Sequence, residues 1–467
     1  MKIAVMDDVR IRRLMAGLYV LLFFTYPVLR PERTPDAVAL FLAVFFAHAL
    51  VGWLAFRAWR RYLSVSLFWI LFLLPRLFTS PMLPWLSDDV YSYLWHGHLT
   101  VSGQNVYAHM PLSPEYVPFR TEMFEKMGNI GVPAIYPPLS EMMMAFAVAC
   151  GRVFTSSWVG ALAAWKFILL LSEAVGIFFL GKIAGIFSSK SSENVKKLPV
   201  GMVLYLFTPL PAVEIVGQGH LDGLILAPLG AALLLIVQWI RREGKFPIVK
   251  SAFLGAALFL LKFAPVAIFL PLVRARIQIT RAAAAALLAG VLIIACGIPF
   301  FIDPSAQQTF SQGLAIYANL ISFNGIPLYL IRHLLSMLSV PLWWIVAPKI
   351  LGVIRFAIIL SIGFIGRVTE ESVYLRRALL IYACAILLAG KVHTWYFVPL
   401  LFVNGLVGSF ALVLGAEFMM LSYAAYLVVP FQEVYWLEYV IWFAFAAMLL
   451  VEWKWPAMRK KFFASFL

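Results

Sequence analysis

Apolar blocks of about 20 residues, long enough to cross a bilayer as a helix, recur along this chain with short polar joints between them. A backbone in hydrocarbon must satisfy its own hydrogen bonds, so such blocks are expected to be helical. Spans are predicted near 14–30, 36–56, 62–78, 159–181, 199–216, 221–240, 250–261, 264–273, 281–301, 342–365, 375–390, 395–408, 410–429 and 437–454. The fold class is therefore an all-α polytopic membrane protein of about 14 transmembrane spans with outer juxtamembrane helices. Hydrophobic residues make up 63% of the 467 and charged residues only 13%, against about a quarter charged in a soluble protein. That balance excludes a soluble domain and a disordered chain alike. The first block follows Lys2, Arg10, Arg12 and Arg13 as a signal peptide would, but no small-residue cleavage site follows it. Arg30-Pro31-Glu32-Arg33 leads straight into the next block, which predicts an uncleaved first helix.

The formal charge is +15, from 37 Lys and Arg against 22 Asp and Glu. On apolar blocks this reads as the positive-inside bias of cytoplasmic loops, not as a nucleic-acid surface. Segments 1–13, 57–61, 182–198, 241–250, 274–281, 366–377 and 453–467 hold 25 of the 37 basic residues and are assigned to the cytoplasm. Both termini fall on that side of an inner membrane. The count treats Leu139 to Phe154 as a helix lying on the outer surface, since as a span it would place Lys190, Lys196 and Lys197 outside. It also splits Val249 to Arg274 at Lys262-Phe263-Ala264-Pro265, because Pro breaks a helix and restricts the residue before it. One membrane domain, 1–467, then carries two outer loops, 79–158 and 303–340. Cys150, Cys296 and Cys384 lie far apart in apolar stretches and suit neither a metal cluster nor a disulfide framework.

Chemistry has few places to sit. In Ser87-Asp88-Asp89-Val90-Tyr91-Ser92-Tyr93-Leu94-Trp95, either Ser87 caps a surface helix whose positive end favours the acids, or the carboxylates face a wall of Tyr91, Tyr93 and Trp95 that stacks a sugar. Glu214-Ile215-Val216-Gly217-Gln218-Gly219-His220-Leu221-Asp222-Gly223 reads either as a Gly-rich reversal or as a second acidic site. Lys262, Arg332 with His333, and Lys391 with His393 fall in outer regions, against the charge bias. Each either snorkels to headgroups or offsets charge on a lipid-borne phosphate. Within spans, Lys166 and Glu173 share a helix face; polar pairing is preferred for them, and for Lys349, Arg355 and Glu417, over an ion relay. No P-loop, dinucleotide fingerprint, His-Glu-x-x-His site or nucleophile elbow is present.

Asp88-Asp89-Val90-Tyr91 running to Leu94-Trp95, then Gly103-Gln104-Asn105-Val106-Tyr107, Ile135-Tyr136-Pro137-Pro138-Leu139, Gly219-His220-Leu221-Asp222 and Lys391-Val392-His393-Thr394-Trp395-Tyr396 together resemble the GT-C superfamily of integral membrane glycosyltransferases. The resemblance covers roughly residues 60–400 and is nearest to bacterial polyprenyl-phosphomannose-dependent mannosyltransferases. It implies outer juxtamembrane helices in the first loop, a polyprenyl-phosphate sugar as donor, mannose favoured, and inversion at the anomeric carbon. Asp88 is then the base for the acceptor hydroxyl, and Asp89 a second carboxylate that orients acceptor or metal. Lys262, Arg332, Lys391 and His393 are expected at the donor phosphate. Tyr91, Trp95, Tyr136, His220, Asp222, Trp395 and Tyr396 are expected at sugar or acceptor. His96-Gly97 departs from an Asp-Gly of the family, and Thr394 from the Pro of a His-Pro-Trp-Tyr run.

The partners implied are the lipid-linked sugar, a glycan, lipid or protein acceptor, and the bilayer, with no nucleic acid. An activated donor requires no cofactor; Asp88, Asp89, His220 and Asp222 are also hard-ion ligand types that suit a divalent metal. The competing readings are a transporter or flippase of a lipid-linked saccharide, which would need functional charges at the midplane, and a non-catalytic assembly subunit.

Overall fold

In the computed structural model, described over residues 9–29, 32–188, 198–242, 245–275, 279–429 and 431–454, every regular element is a helix. The nearest thing to a strand is a single bridge between Phe323 and Lys391. Lys2, Arg30, Pro31, Lys190, Lys196 and Lys197, which carry part of the expected topology, lie outside the described residues.

Eight described helices are long and apolar enough to cross a membrane: Val9–Val28, Pro35–Trp59, Trp158–Phe187, Leu221–Arg242, Ile279–Phe301, Trp343–Phe364, Phe410–Leu427 and Tyr435–Lys454. Shorter apolar helices cover Val65–Thr79, Ile248–Leu261, Ala264–Arg274, Ile326–Met337 and Thr394–Val407. The chain is thus a multi-helix membrane protein. The break expected at Lys262 to Pro265 is present, with an α-helix ending at Leu261, Lys262 in extended backbone and a 3-10 helix from Ala264.

The chain forms two compact units, Met1–Leu86 with Ile177–Asp222 and His393–Leu467, and Ser87–Gly176 with Gly223–Val392. In the first, a histidine buried among apolar helices is paired on both ring nitrogens. His48 is fully enclosed, with its Nδ1 3.1 Å from the Tyr26 hydroxyl and its Nε2 2.9 Å from the Tyr19 carbonyl. The Tyr19 hydroxyl in turn donates to the Leu206 carbonyl at 2.9 Å. An unsatisfied polar group in this setting would cost several kcal/mol. Small residues let the helices touch: a Cβ on Gly201 would lie 2.5 Å from the Asn404 carbonyl oxygen.

In the second unit the helix Asp89–Val101 lies on Pro138–Phe154, the helix expected on the membrane surface. Their crossing is fixed by two neighbours. His96 Nδ1 stands 3.1 Å from Glu141 Oε1, both buried, while a Cβ on Gly97 would fall 2.5 Å from the Met144 carbonyl oxygen. Gly97 is therefore required by close backbone approach. Replacing Gly97 with Ala should force the pair of helices apart and cost about 1–3 kcal/mol, as overpacking does. Thermal unfolding of the purified protein in detergent checks this: the midpoint should fall, and an unchanged midpoint would refute the contact.

Candidate active site

The first acidic motif enters the second unit at its leading edge. Asp88 occupies the N-cap position of Asp89–Val101, yet its side chain makes no capping hydrogen bond. The Asp89 N–H is instead accepted by Ser87 Oγ at 3.2 Å. The Asp88 carboxylate thus sits at the positive end of a helix without serving as its cap. It is half-buried and lies close against Gly128, where an added Cβ would come 2.5 Å from Oδ2.

Asp89 continues into a line of hydroxyls. Its Oδ2 accepts from the Tyr93 hydroxyl at 3.4 Å, and the Tyr93 hydroxyl accepts from that of Tyr136 at 3.4 Å, the two rings meeting edge to face at 5.2 Å. Burial first, then the charges of Asp89, Tyr93 and Tyr317, hold the Tyr136 phenol well above its ordinary pKa, so it remains a donor. Tyr317 in turn accepts from Lys391 Nζ at 2.8 Å, with the ammonium 4.3 Å from its ring centroid. Lys391 is held there by backbone pairing: Phe323 N–H donates to the Gly390 carbonyl at 3.2 Å and Val392 N–H to the Phe323 carbonyl at 2.8 Å. A cation expected at phosphate and a carboxylate expected at acceptor thus end one polar series, whose Tyr317–Tyr136 step is electrostatic.

Other expected residues of this unit are placed differently. Tyr91 packs against Trp158 at 5.7 Å, with Lys126 Nζ 5.7 Å and 5.3 Å from the two ring centroids. Trp95 is enclosed between Tyr116 and Phe124, and its indole N–H donates to the Phe119 carbonyl at 3.2 Å. Lys262 is half-buried where Ile248–Leu261 ends. Arg332 donates to Ser322 Oγ at 3.1 Å.

The second acidic motif and the His-Thr-Trp-Tyr run meet within the other unit. Glu214, fully buried on a π-helical turn Ala212–Gly217, accepts from the Thr394 hydroxyl at 2.8 Å and from the Tyr423 hydroxyl at 3.1 Å. Its other oxygen lies 3.2 Å from His220 Nε2. Single π turns recur at functional sites because they re-aim side chains. Just past the turn, Gly219, whose φ of 79° is in the left-handed region, brings His220 back to Glu214.

The His220 ring stacks on Trp395 at 3.7 Å and 10°, and His393 stacks on the same indole at 4.0 Å and 9°. Two imidazoles that near one ring centre would overlap on a single face, so Trp395 is sandwiched between them. Tyr396 stands edge-on to the stack, and Asp222 is buried two residues beyond His220. Gln218 accepts from the N–H groups of Trp85 and Leu86 at 3.1 and 3.2 Å, fixing the backbone just before Ser87.

Thr394 departs from the Pro of the family run, and its hydroxyl is what a buried carboxylate requires. Glu214 itself was legible only as an acid in an apolar stretch, although the cost of such a group in hydrocarbon is a signal of function or obligatory pairing. Glu141, His96, Gln218 and Gly128 carry no such signal, because spacing does not reveal which helix each meets. No group of three or more His, Cys, Asp or Glu among the described residues is arranged to hold a metal ion.

Residues 21–298 match the family model described as alpha-(1->6)-mannopyranosyltransferase, N-terminal domain. No curated protein and no solved structure matches the chain.

Thr394→Val should remove one of the donors to Glu214 and lower stability by about 1–3 kcal/mol, the cost of leaving a buried acceptor short. Thr394→Ser should recover most of it. A Val variant whose thermal midpoint equals that of the parent would show that the hydrogen bond contributes nothing.

Proposed function

The chain belongs to the alpha-(1->6)-mannopyranosyltransferase family, whose model spans more than half of it, and from that premise we propose that it moves mannose from a polyprenyl-phosphate donor to an acceptor hydroxyl with inversion. It is a membrane glycosyltransferase. The eight long helices cross the inner membrane and the remaining apolar blocks complete the expected fourteen spans, both termini are cytoplasmic, and transfer occurs on the opposite side, above the outer loops 79–158 and 303–340.

Asp88 takes the proton of the acceptor hydroxyl as its oxygen bonds to the anomeric carbon. The bond to the phosphate oxygen breaks on the opposite face, and polyprenyl phosphate leaves with the electron pair. Charge grows on that phosphate in the transition state, so fixed cations lower the barrier; Lys262, Arg332, Lys391 and His393 fill this role. Asp89 orients the acceptor through the Tyr93–Tyr136 hydroxyls, or a divalent metal if one is bound, although the activated donor requires none. Tyr91, Tyr136, His220, Asp222, Trp395 and Tyr396 keep their reading as sugar or acceptor contacts, while Trp95 is enclosed between Tyr116 and Phe124. The acceptor is a glycan, lipid or protein bearing a free hydroxyl.

The observation that carries the reading is the Asp88 carboxylate, placed at a helix N-terminus but not used as its cap. Asp88→Asn should lower turnover about 10²–10⁴-fold, the usual contribution of a general base, while the KM for polyprenyl phosphomannose stays within about twofold. Turnover near the parent rate would mean that another group takes the proton.

A further inference from the structure

The second unit carries a large cavity whose lining includes none of the residues assigned above to transfer. It encloses about 920 Å³, near the top of the ~300–1,000 Å³ range of small-molecule sites. Its walls come from the helices Ile248–Leu261, Ala264–Arg274, Ile279–Phe301 and Trp343–Phe364. Gly255, Phe259, Ala282, Ala286 and Phe356 make it a long apolar groove, and Arg355 is the charged side chain in its wall.

Phe246 belongs to this groove and also to a second pocket of about 490 Å³. That pocket is cationic, lined by Arg242, Lys245, Lys250 and Arg281, with no acidic side chain among the described residues in its wall. The wall between the two is built rather than incidental: the Phe246 ring meets Trp239 edge to face at 5.2 Å, and its carbonyl accepts from Arg281 at 3.2 Å. A cluster of four cations at one end of an apolar groove is complementary to a single kind of ligand, an amphiphile with an anionic head and hydrocarbon tails. Basic pockets between membrane helices on the cytoplasmic side bind lipid phosphates in this way.

We propose that these joined pockets bind an anionic phospholipid of the bilayer, its phosphate among Arg242, Lys245, Lys250 and Arg281 and its chains in the groove. The segments 241–250 and 274–281 that supply the cations are those assigned to the cytoplasm, so this lipid is drawn from the leaflet opposite the proposed transfer site and is distinct from the donor. The site does not depend on the assignment of Asp88.

The test is native mass spectrometry of the full-length protein in detergent, with phosphatidylglycerol and phosphatidylcholine of matched chains as probes. The parent should retain phosphatidylglycerol at least about tenfold more tightly than phosphatidylcholine, since clustered Lys and Arg favour an anionic over a zwitterionic headgroup. The combined variant Arg242→Gln, Lys245→Gln, Lys250→Gln should lose that preference. Ala286→Trp, which leaves every cation in place, should weaken both lipids by narrowing the groove. Arg57→Gln with Arg60→Gln and Arg61→Gln, an equal loss of charge elsewhere, should change nothing. Equal retention of the two lipids by the parent, or an unchanged preference in the first variant, overturns the proposal. Displacement of phosphatidylglycerol by polyprenyl phosphate at lower concentration also overturns it, by assigning the groove to the donor.

Discussion

A carboxylate in an apolar interior has to be satisfied by its neighbours, and Glu214 dictates how its unit is built around it. Two hydroxyls, from Thr394 and Tyr423, reach the same oxygen, and His220 lies against the other. Those contacts join three stretches of chain distant in sequence. They hold the His220–Trp395–His393 stack, in which a flat indole with imidazoles on both faces fixes the orientation of two titratable rings. Replacing Thr394, Tyr423 or His220 with an apolar residue would leave the buried Glu214 short of a partner, which is far more costly than a lost contact in water.

The second unit applies the same rule with a different outcome. His96 and Glu141 are paired and buried where two helices cross, and Tyr107 and Tyr116 each donate to a carbonyl. Asp88, in contrast, is placed at a helix end and not used to close it, and Asp89 is tied into hydroxyls that lead toward Lys391. The transferase reading rests on the placement of Asp88 at a helix end whose capping hydrogen bond it does not make. The family supplies the sugar, and the proposed phosphate leaving group is what calls for cations.

Much of this was legible in the sequence. The apolar blocks gave the helical class directly, and Pro265 with its extended neighbours marked the break at Lys262. The acid pair, the Gly-His-Leu-Asp turn and the His-Thr-Trp-Tyr run all stood out because charge and glycine are rare here. What did not show was pairing. Whether Trp95 faces a cavity or the interior depends on which elements surround it, and it proved to be enclosed by Tyr116 and Phe124. Eight helices are long enough to cross alone, where fourteen spans were expected, because blocks such as 250–261 and 395–408 form helices of fewer than 18 residues. The triple stack lay hidden because His220 and His393 are far apart in sequence, and the basic pocket because Arg242 and Arg281 are contributed by separate helices.

The central claim is that a lipid-linked sugar phosphate is the donor. Reconstituting the protein in liposomes with radiolabelled polyprenyl phosphomannose, and in parallel with nucleotide-linked mannose, tests it most directly when transfer to a mannosyl acceptor is followed and the product's anomeric configuration is read by NMR. The account predicts transfer from the lipid donor alone, with the anomeric configuration inverted. Transfer from the nucleotide sugar, or retention of configuration from the lipid donor, would contradict it.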